Sequence, residues 1–292
     1  MKSTFRELRE SCNFLLPLII FILVFIILPV LGTVVTSMFQ DVTFLEREFL
    51  FLENYRRIFS DPAFGQSFRF TFLFVAVSVP LEICLGLMFA LLLNEQLPFR
   101  GALRAFVLIP WAIPAAISGR IWELIYNYHY GLANFLFVKL GISAEPINWL
   151  GSGLGAFFSL VVSDVWKTSP FVAIILLAGL QAIPRELYEQ GQVDGANLLQ
   201  RFYRITLPLL KPVLVVALLF RTIDALRIFD LIYVLTHGGP GGATNSLSLY
   251  AYRYYLGGDF GYGSAVSTIL FIVAFSLSVL YVKLSRFSSV VK

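Results

Sequence analysis

Residues 184–212 read PRELYEQGQVDGANLLQRFYRITLPLLKP, and this stretch decides how the rest of the chain is interpreted. It is the one long polar segment between two hydrophobic runs that keeps a helical pattern. Pro184 suits the first turn of a helix, where its missing N–H would have no partner, and Glu186 favours the helix dipole. Gly191 and Gly195 predict breaks in the chain beyond this first helix.

The second half of the stretch predicts another short helix over 197–204, with Phe202 and Ile205 available for packing. Pro208 and Pro212 are expected to end that helix and to redirect the chain into the next hydrophobic run. Two short helices joined by glycines would form a compact knob suited to docking against a partner. The alternative interpretation is an amphipathic segment that only anchors the loop at the membrane surface.

The composition around this stretch is that of a membrane protein. Of the 292 residues, 58% are hydrophobic and 14% are charged, whereas soluble domains carry about 25% charged residues. The mean hydropathy is +0.80. The apolar runs have the length that a helix needs to cross a bilayer, roughly 20 residues or more. The small net charge of +4 gives no support for a nucleic-acid partner.

Six hydrophobic runs predict an all-α, polytopic membrane protein with six transmembrane helices. The first run is longer than the core of a cleaved signal peptide, so we interpret it as a retained span. The predicted spans are 14–38, 68–93, 105–126, 153–180, 211–234 and 263–283.

Lysine and arginine residues predict the orientation in the membrane. Twelve of them lie in the two tails and in the 94–104 and 184–211 loops, against six in the other loops. Basic loops stay in the cytoplasm, so both termini and the 184–211 loop are predicted to be cytoplasmic. The predicted domains are an N-terminal part with the first span and an extracytoplasmic loop (1–67), a core (68–284) and a tail (285–292).

The residues of the opening stretch resemble the EAA loop of ABC importer permeases, whose pattern is E-A-A-x-x-x-G followed by I-x-L-P. The residues that match are Glu189, Gly195, Ile205, Leu207 and Pro208. Gln190 and Gly191 stand where that family usually has two alanines.

Flanking segments are similar to the carbohydrate permeases of the maltose type within this family. They lie before the EAA-like loop and after the fifth span. These segments are Trp166–Lys167, Pro170–Phe171, Leu177–Tyr188, Phe229–Asp230, Tyr233–Thr236, Gly238–Pro240 and Thr244. The resemblance covers most of residues 100–284.

The resemblance implies a type I ABC importer permease in a bacterial or archaeal inner membrane. It also implies four kinds of partner: a second, related permease subunit in a heterodimer, a cytoplasmic ABC ATPase dimer, an extracytoplasmic solute-binding protein and membrane lipid. The residues implied to couple the chain to the ATPase are Glu186, Leu187, Glu189, Gln190, Gly191, Val193, Asp194, Gly195, Ala196, Ile205, Leu207 and Pro208. Glu189 and Asp194 would pair with basic groups of the ATPase, while Leu187 and Val193 would supply apolar contacts.

Catalysis by this chain is not predicted. The sequence lacks the G-x-x-x-x-G-K-[ST] motif, so ATP and magnesium are expected on the partner ATPase. Cys12 and Cys84 are far apart, and His129 and His237 are isolated, so no disulfide framework, metal site or nucleophile is indicated. A secondary transporter would favour inverted repeats or unpaired acids, and it would leave the knob without a purpose.

Charged residues within the predicted spans occur mostly as neighbours of opposite sign, three residues apart. The pairs are Arg120 with Glu123, Asp164 with Lys167, Arg221 with Asp224, and Arg227 with Asp230. Such residues either neutralise each other within the bundle or line a polar path. Glu82 is alone in the second span and is expected at the interface with a partner subunit.

The fifth span would carry four of these charges on a stripe that winds halfway round a continuous helix, so one cavity face cannot hold them all. We therefore expect Asp224 and Arg227 on the translocation path and Arg221 or Asp230 in structural pairing. The candidate path residues are Tyr126, Asn127, Trp166, Lys167, Asp224, Arg227, Asp230 and Tyr233. The resemblance to maltose-type permeases implies a sugar substrate, a di- or oligosaccharide, with a polyol or glycerol phosphate as the alternative.

Overall fold

The computed structural model describes residues 14–95 and 98–287. The predicted basic N-terminus (1–13) and the end of the predicted C-terminal tail (288–292) lie outside the described residues. The helices are α1 (Phe14–Thr36), α2 (Glu53–Ser60), α3 (Pro62–Asn94), α4 (Arg100–Ala112), α5 (Ala115–Ile125), α6 (Leu132–Lys139), α7 (Gly153–Gln181), α8 (Arg185–Val193), α9 (Leu198–Arg201), α10 (Leu207–Leu226), α11 (Asp230–Leu235), α12 (Leu247–Leu256) and α13 (Phe260–Phe287). Two short strands, β1 (Phe39–Gln40) and β2 (Glu48–Phe49), pair antiparallel.

The predicted all-helical membrane fold is confirmed. In the described ranges, α1, α3, α7 and α13 are each long and apolar enough to cross a bilayer. A fifth span is reached if α4 and α5, which meet at a bend of 92°, are taken together. The remaining predicted span, 211–234, is the fifth in chain order and corresponds to α10 and α11, which are separated at Arg227–Phe229. The count of six spans is compatible with these helices and stays a prediction.

The chain divides into two compact units, one formed by Met1–Asp61 with Tyr250–Phe271 and the other by Pro62–Leu249 with Ile272–Lys292. In the first unit, the carboxylate of Asp61 accepts hydrogen bonds from the hydroxyl groups of Tyr250 and Tyr262. The guanidinium group of Arg57 lies over the Tyr262 ring, 5.3 Å from its centroid. This cluster fastens the end of the first extramembrane segment to a segment that lies nearly 190 residues later.

The core of the second unit is formed where α3, α7 and α10 pack together. A small residue at the α3–α7 crossing lets the two helices approach closely. A Cβ atom added to Gly86 on α3 would lie 2.5 Å from Cγ1 of Val172 on α7. On the neighbouring α7–α10 contact, a Cβ atom on Gly179 would lie 2.8 Å from Leu210. These contacts fix the three helices that carry the buried charges described below.

Candidate functional site

The 184–211 segment folds as the predicted pair of short helices, α8 and α9. Gly195 has φ of +76°, a conformation that glycine adopts without strain. The N–H groups of Gly195 and Ala196 bond back to the carbonyls of Gln192 and Gly191, at 3.0 and 2.8 Å, which is the Schellman arrangement at a helix end. Asn197 then opens α9.

The start of α9 is fixed by a reciprocal capping box between Asn197 and Gln200. The Asn197 side chain accepts from the Gln200 N–H at 2.8 Å, and the Gln200 side chain accepts from the Asn197 N–H at 2.9 Å. The end of α8 and the beginning of α9 are thus each fixed by local hydrogen bonds, only a few residues apart. We call residues 185–206 the knob, since they form one compact hairpin of short helices.

Two details of the knob differ from the prediction. Gly191 does not break the chain, because it lies inside α8, buried, where an added Cβ atom would be 3.1 Å from Cδ1 of Ile205. Pro208 and Pro212 do not end the second helix, because a π-helical turn at Phe202–Thr206 carries it directly into α10. Pro208 is accommodated at the first turn of α10, where a missing N–H is tolerated.

The surface of the knob is apolar at several exposed positions. Val193 is 89% exposed and Leu198 is 79% exposed, values that are high for aliphatic side chains in a folded segment. Glu186, Glu189 and Asp194 are also exposed. Sequence reasoning identified Leu187 and Val193 as apolar contacts and missed Leu198 and Leu199. The sequence did contain a signal for them. Asn197 marks the start of α9, so Leu198 and Leu199 fall in the first turn of a short helix at the tip of the knob.

A break between α4 and α5 lies within the third predicted span. Ile113 is extended, as expected of a residue that precedes a proline, and Pro114 then starts α5. The break frees carbonyl groups at the end of α4. The ammonium group of Lys167 donates to the Ile113 carbonyl at 2.7 Å and to the Trp111 carbonyl at 3.4 Å. Lys167, the central residue of α7, therefore caps the end of α4.

A second break, at Arg227–Phe229, separates α10 from α11 within the fifth predicted span. The freed carbonyl of Ile228 accepts a hydrogen bond from the Ser246 hydroxyl at 2.8 Å. The α11 helix then packs against α5, where a Cβ atom on Gly119 would lie 2.9 Å from Val234. The two broken spans are thus in contact beyond their breaks.

Both breaks line one polar cavity of about 430 Å³. Its wall includes the end of α4, the middle of α7, the end of α10 and the start of α11. Irregular backbone at membrane depth is tolerated where it is buried in protein or lines a water-filled cavity. Broken helices near the bilayer centre are also a recurrent sign of a substrate site in transporters.

The charges in the cavity wall are balanced. Three of the lining residues are acidic and three are basic, namely Asp164, Asp224, Asp230, Lys167, Arg221 and Arg227. Arg221 is buried and contacts Asp164 at 3.4 Å and Asp224 at 3.5 Å. Asp224 also pairs with Arg227 at 2.7 Å. The arrangement presents donors and acceptors of hydrogen bonds without a large excess of either charge.

Glu82 belongs to the same network of ion pairs, although it does not line the cavity. Its side chain is fully buried, and its Oε2 atom lies 2.6 Å from Nε of Arg221. The expectation that Glu82 faces a partner subunit is therefore wrong. Because Glu82 and Arg221 are far apart in sequence, spacing within a single helix could not reveal the pair.

The predicted pairing along the helices holds in some cases and changes in others. Arg120 pairs with Glu123 at 2.6 Å, and Arg221 with Asp224, as expected. Asp164 instead lies beside Arg221, while its predicted partner Lys167 caps α4.

The expectation that one cavity cannot hold all four charges of the fifth span is also wrong. The helix ends at Leu226, and the break that follows redirects Arg227 and Asp230 towards the same cavity as Arg221 and Asp224.

Four of the eight predicted path residues line this cavity, namely Lys167, Asp224, Arg227 and Asp230.

The other four predicted path residues make different contacts, and their place on the path stays a prediction. The Tyr126 hydroxyl donates to the Ser159 carbonyl at 3.2 Å, and the Asn127 side chain accepts from the backbone of the turn that follows it. Trp166 packs edge-on against Trp122, and Tyr233 stacks on Phe229. Sequence reasoning missed Trp111 and Thr168 in the cavity wall.

Comparison with known proteins identifies the family. The family described as "Binding-protein-dependent transport system inner membrane component" matches residues 82–287. This chain belongs to that family. The match includes the α7 and α10 helices, the knob and both breaks, and the predicted resemblance to ABC importer permeases is confirmed.

Relatives in this family resemble the chain over nearly its full length. The trehalose/maltose transport system permease protein MalF of Thermococcus litoralis is 56% identical over 98% of this chain and 97% of its own. The sulfoquinovosyl glycerol transport system permease protein SmoG of Agrobacterium fabrum is 41% identical over 93% of this chain and 89% of its own. The permease fold of a bacterial ABC transporter involved in import of the acidic polysaccharide alginate superposes with a TM-score of 0.83 at 25% identity, covering 98% of this chain and 97% of that one.

Proposed function

We propose that this chain is a permease subunit of an ATP-driven importer for a neutral sugar, a di- or oligosaccharide, with the 430 Å³ cavity on its path. The observation that carries the proposal is the convergence of two broken helices on one charge-balanced cavity at the middle of α7. A cavity of this size falls in the range of small-ligand sites, roughly 300–1,000 Å³. The chain supplies half of the path, and a second, related permease supplies the other half.

The charge balance favours a neutral sugar over the phosphate-bearing alternative. A phosphate or a sulfonate would need an excess of positive charge near the ligand, because its own charge loses water on binding. The three acids and three bases of the wall offset each other. Carboxylates and basic groups together suit sugar hydroxyls, which both donate and accept hydrogen bonds. The trehalose/maltose function named for the 56% identical relative is consistent with this choice.

The knob is proposed to receive the work of ATP hydrolysis from a cytoplasmic ATPase dimer. Its exposed Val193 and Leu198 would enter an apolar groove, and Glu189 and Asp194 would pair with basic groups around it. The continuous path from α9 through the π-helical turn into α10 joins the knob to the helix that carries Arg221. A displacement of the knob would therefore reach the cavity wall through one stiff element.

We propose that the knob lies in the cytoplasm and that the loop between β1 and β2 lies on the opposite side of the membrane. This is the orientation predicted from the distribution of lysine and arginine. An extracytoplasmic solute-binding protein delivers the sugar to the outer face. ATP and magnesium are bound by the ATPase, and this chain performs no catalysis of its own. Membership of the family and the exposed apolar surface of the knob support these roles.

Reconstitution of the complete importer in liposomes tests the proposal. Glu189→Ala and Gly195→Ala are expected to reduce both maltose or trehalose uptake and the ATPase activity stimulated by loaded binding protein by about tenfold each, as for loss of an interface contact of moderate strength. Gly141→Ala is the matched control, because Gly141 also has positive φ, of +70°, with open space around its Cβ position. Unchanged uptake and unchanged stimulation in both knob variants would show that the knob does not couple the chain to the ATPase.

A further inference from the structure

A second cavity, of about 1,060 Å³, lies between the knob and the ends of the long helices. Its basic wall is formed by Arg100 and Arg104 of α4 together with Arg185 of α8 and Arg201 of α9. Glu95 is the only acidic residue in its described lining, which leaves three positive charges in excess. The cavity is therefore chemically distinct from the charge-balanced cavity on the proposed sugar path.

The position of this cavity sets it at the edge of the membrane. Its wall contains Asn94, the last residue of α3, and Gln181, the last residue of α7. Both helices are longer than a bilayer-spanning helix needs to be, so their ends reach the headgroup level or lie just beyond it. The remaining wall includes apolar side chains, among them Leu180 and Phe202. An amphiphile would thus find apolar and cationic surface side by side.

We infer that this cavity binds the headgroup of an anionic phospholipid. Guanidinium groups match the geometry of phosphate oxygens and form paired hydrogen bonds with them. Basic pockets between transmembrane helices on the cytoplasmic side are known to take such headgroups. Nε of Arg201 is buried without a hydrogen-bond partner among the described residues, which favours a ligand that accepts from the guanidinium groups. The bound lipid would tie the knob to α4.

This inference rests on the membrane location of the family and on the cytoplasmic position proposed for the knob, and it does not depend on the sugar assignment. Native mass spectrometry of the full chain in its importer complex, released from nanodiscs, measures it directly. With equal amounts of phosphatidylglycerol and phosphatidylcholine, the wild type is expected to retain phosphatidylglycerol selectively. The double variant Arg100→Gln/Arg201→Gln is expected to lose this preference by roughly thirtyfold, since it removes two cations that each contribute about fivefold near the surface.

Arg204→Gln is the matched control, because Arg204 is exposed in the same segment and does not line the cavity. Equal retention of the two lipids by the wild type would overturn the inference, and so would a preference that survives in the double variant or is lost equally in the control. Glycerol 1-phosphate added at millimolar concentration distinguishes a soluble anion from a lipid. If it displaces phosphatidylglycerol completely, the site takes a free phosphate ester and the lipid assignment is wrong.

A folding defect is separated from loss of the site by the melting temperature of each variant in phosphatidylcholine nanodiscs, which is expected to match that of the wild type. Addition of phosphatidylglycerol should then raise the melting temperature of the wild type and of Arg204→Gln but not of the double variant. A rise of equal size in all three proteins would point to a general effect of the bilayer and would refute the site.

Discussion

Nε of Arg221 and Oε2 of Glu82 lie 2.6 Å apart in the interior of the second unit, and the two residues are 139 positions apart in sequence. The pair joins α10 to α3 immediately behind the polar cavity. Arg221 also contacts Asp164 of α7. One guanidinium group thus links the three helices that form the core of this unit.

Replacement of Arg221 by Leu is expected to be strongly destabilising, because Glu82 would remain buried without its counter-charge. Removal of one partner from a buried ion pair typically costs about 3–5 kcal/mol. The melting temperature of the purified chain should therefore fall by many degrees. Arg120→Leu is the control, because its pair with Glu123 is exposed and such pairs contribute about 1 kcal/mol or less. The double variant Glu82→Gln/Arg221→Leu should recover part of the loss, and equal losses in Arg221→Leu and Arg120→Leu would contradict this account.

Gly86→Ala should destabilise the α3–α7 crossing, because the new methyl group would lie 2.5 Å from Val172 and 3.0 Å from the Ser169 carbonyl. Overpacking of this kind costs about 1–3 kcal/mol. Gly65→Ala on the same helix is the matched control, since nothing lies within 4 Å of its Cβ position and alanine favours the helix by about 0.5–1 kcal/mol. Thermal unfolding should rank Gly65→Ala at or above the wild type and Gly86→Ala below it. Val172→Ala should partly restore stability in the Gly86→Ala background.

Val193→Ala combined with Leu198→Ala is expected to weaken binding of the ATPase by about tenfold or more, because exposed apolar anchors dominate interfaces of this type. The fold should be unaffected, since both side chains are largely exposed. Leu45→Ala serves as the control because Leu45 is 58% exposed in the other unit. Titration of the detergent-solubilised permease with the ATPase subunit measures the affinity. An affinity equal to that of the wild type would exclude these two side chains from the interface.

Tyr250 provides a prediction on the pH dependence of stability. Burial, together with the hydrogen bond to Asp61, raises the pKa of Tyr250 above its ordinary value. A raised pKa means that the neutral phenol is favoured by folding, so this contribution is fully present below about pH 10, the pKa of an unfolded tyrosine, and is lost as the pH rises towards the folded value. Tyr250→Phe should lower the stability at pH 7.5 by about 1–2 kcal/mol and should flatten its decline above pH 10.

The matched control for Tyr250 is Tyr203→Phe, because Tyr203 is 58% exposed on the knob. It should leave both the stability at neutral pH and the slope above pH 10 unchanged. Unfolding midpoints measured from pH 7.5 to pH 11 compare the three proteins. A slope in Tyr250→Phe as steep as that of the wild type would assign the alkaline loss of stability to other groups.

Local sequence signals were sufficient for the turn between α8 and α9 and for the limits of some spans. Gly195 and Asn197 are turn and cap residues whose roles depend on a few neighbouring backbone groups, and both act in the structure as their chemistry suggests. The limits of α7 were likewise predicted to within one residue. Charge spacing was less informative, because Asp164 and Lys167 satisfy their needs on other helices.

The cavity could not be predicted because it depends on where two spans break. Pro114 lies at one break, yet 105–126 was predicted as a continuous span, and the end of α10 at Leu226 has no proline or glycine to mark it. We therefore assumed a continuous helix over the fifth span. Such a helix would point Arg221, Asp224, Arg227 and Asp230 in different directions, whereas the broken span brings all four to one cavity. Tertiary contacts, such as the bond from Ser246 to the Ile228 carbonyl, stabilise this end and are invisible to a reading of local pattern.

The π-helical turn at Phe202–Thr206 has a consequence for how the knob is aimed. A π turn holds one residue more than an α turn, so its conversion to regular α-helix would wind the knob by about 100° around the axis of α10 and shift it by about 1.5 Å. The direction in which Val193 and Leu198 face, relative to the buried Arg221, is thus set by a single surplus residue. Deletion of one residue from this turn would leave Val193 and Leu198 on the knob but would point both side chains away from the proposed groove.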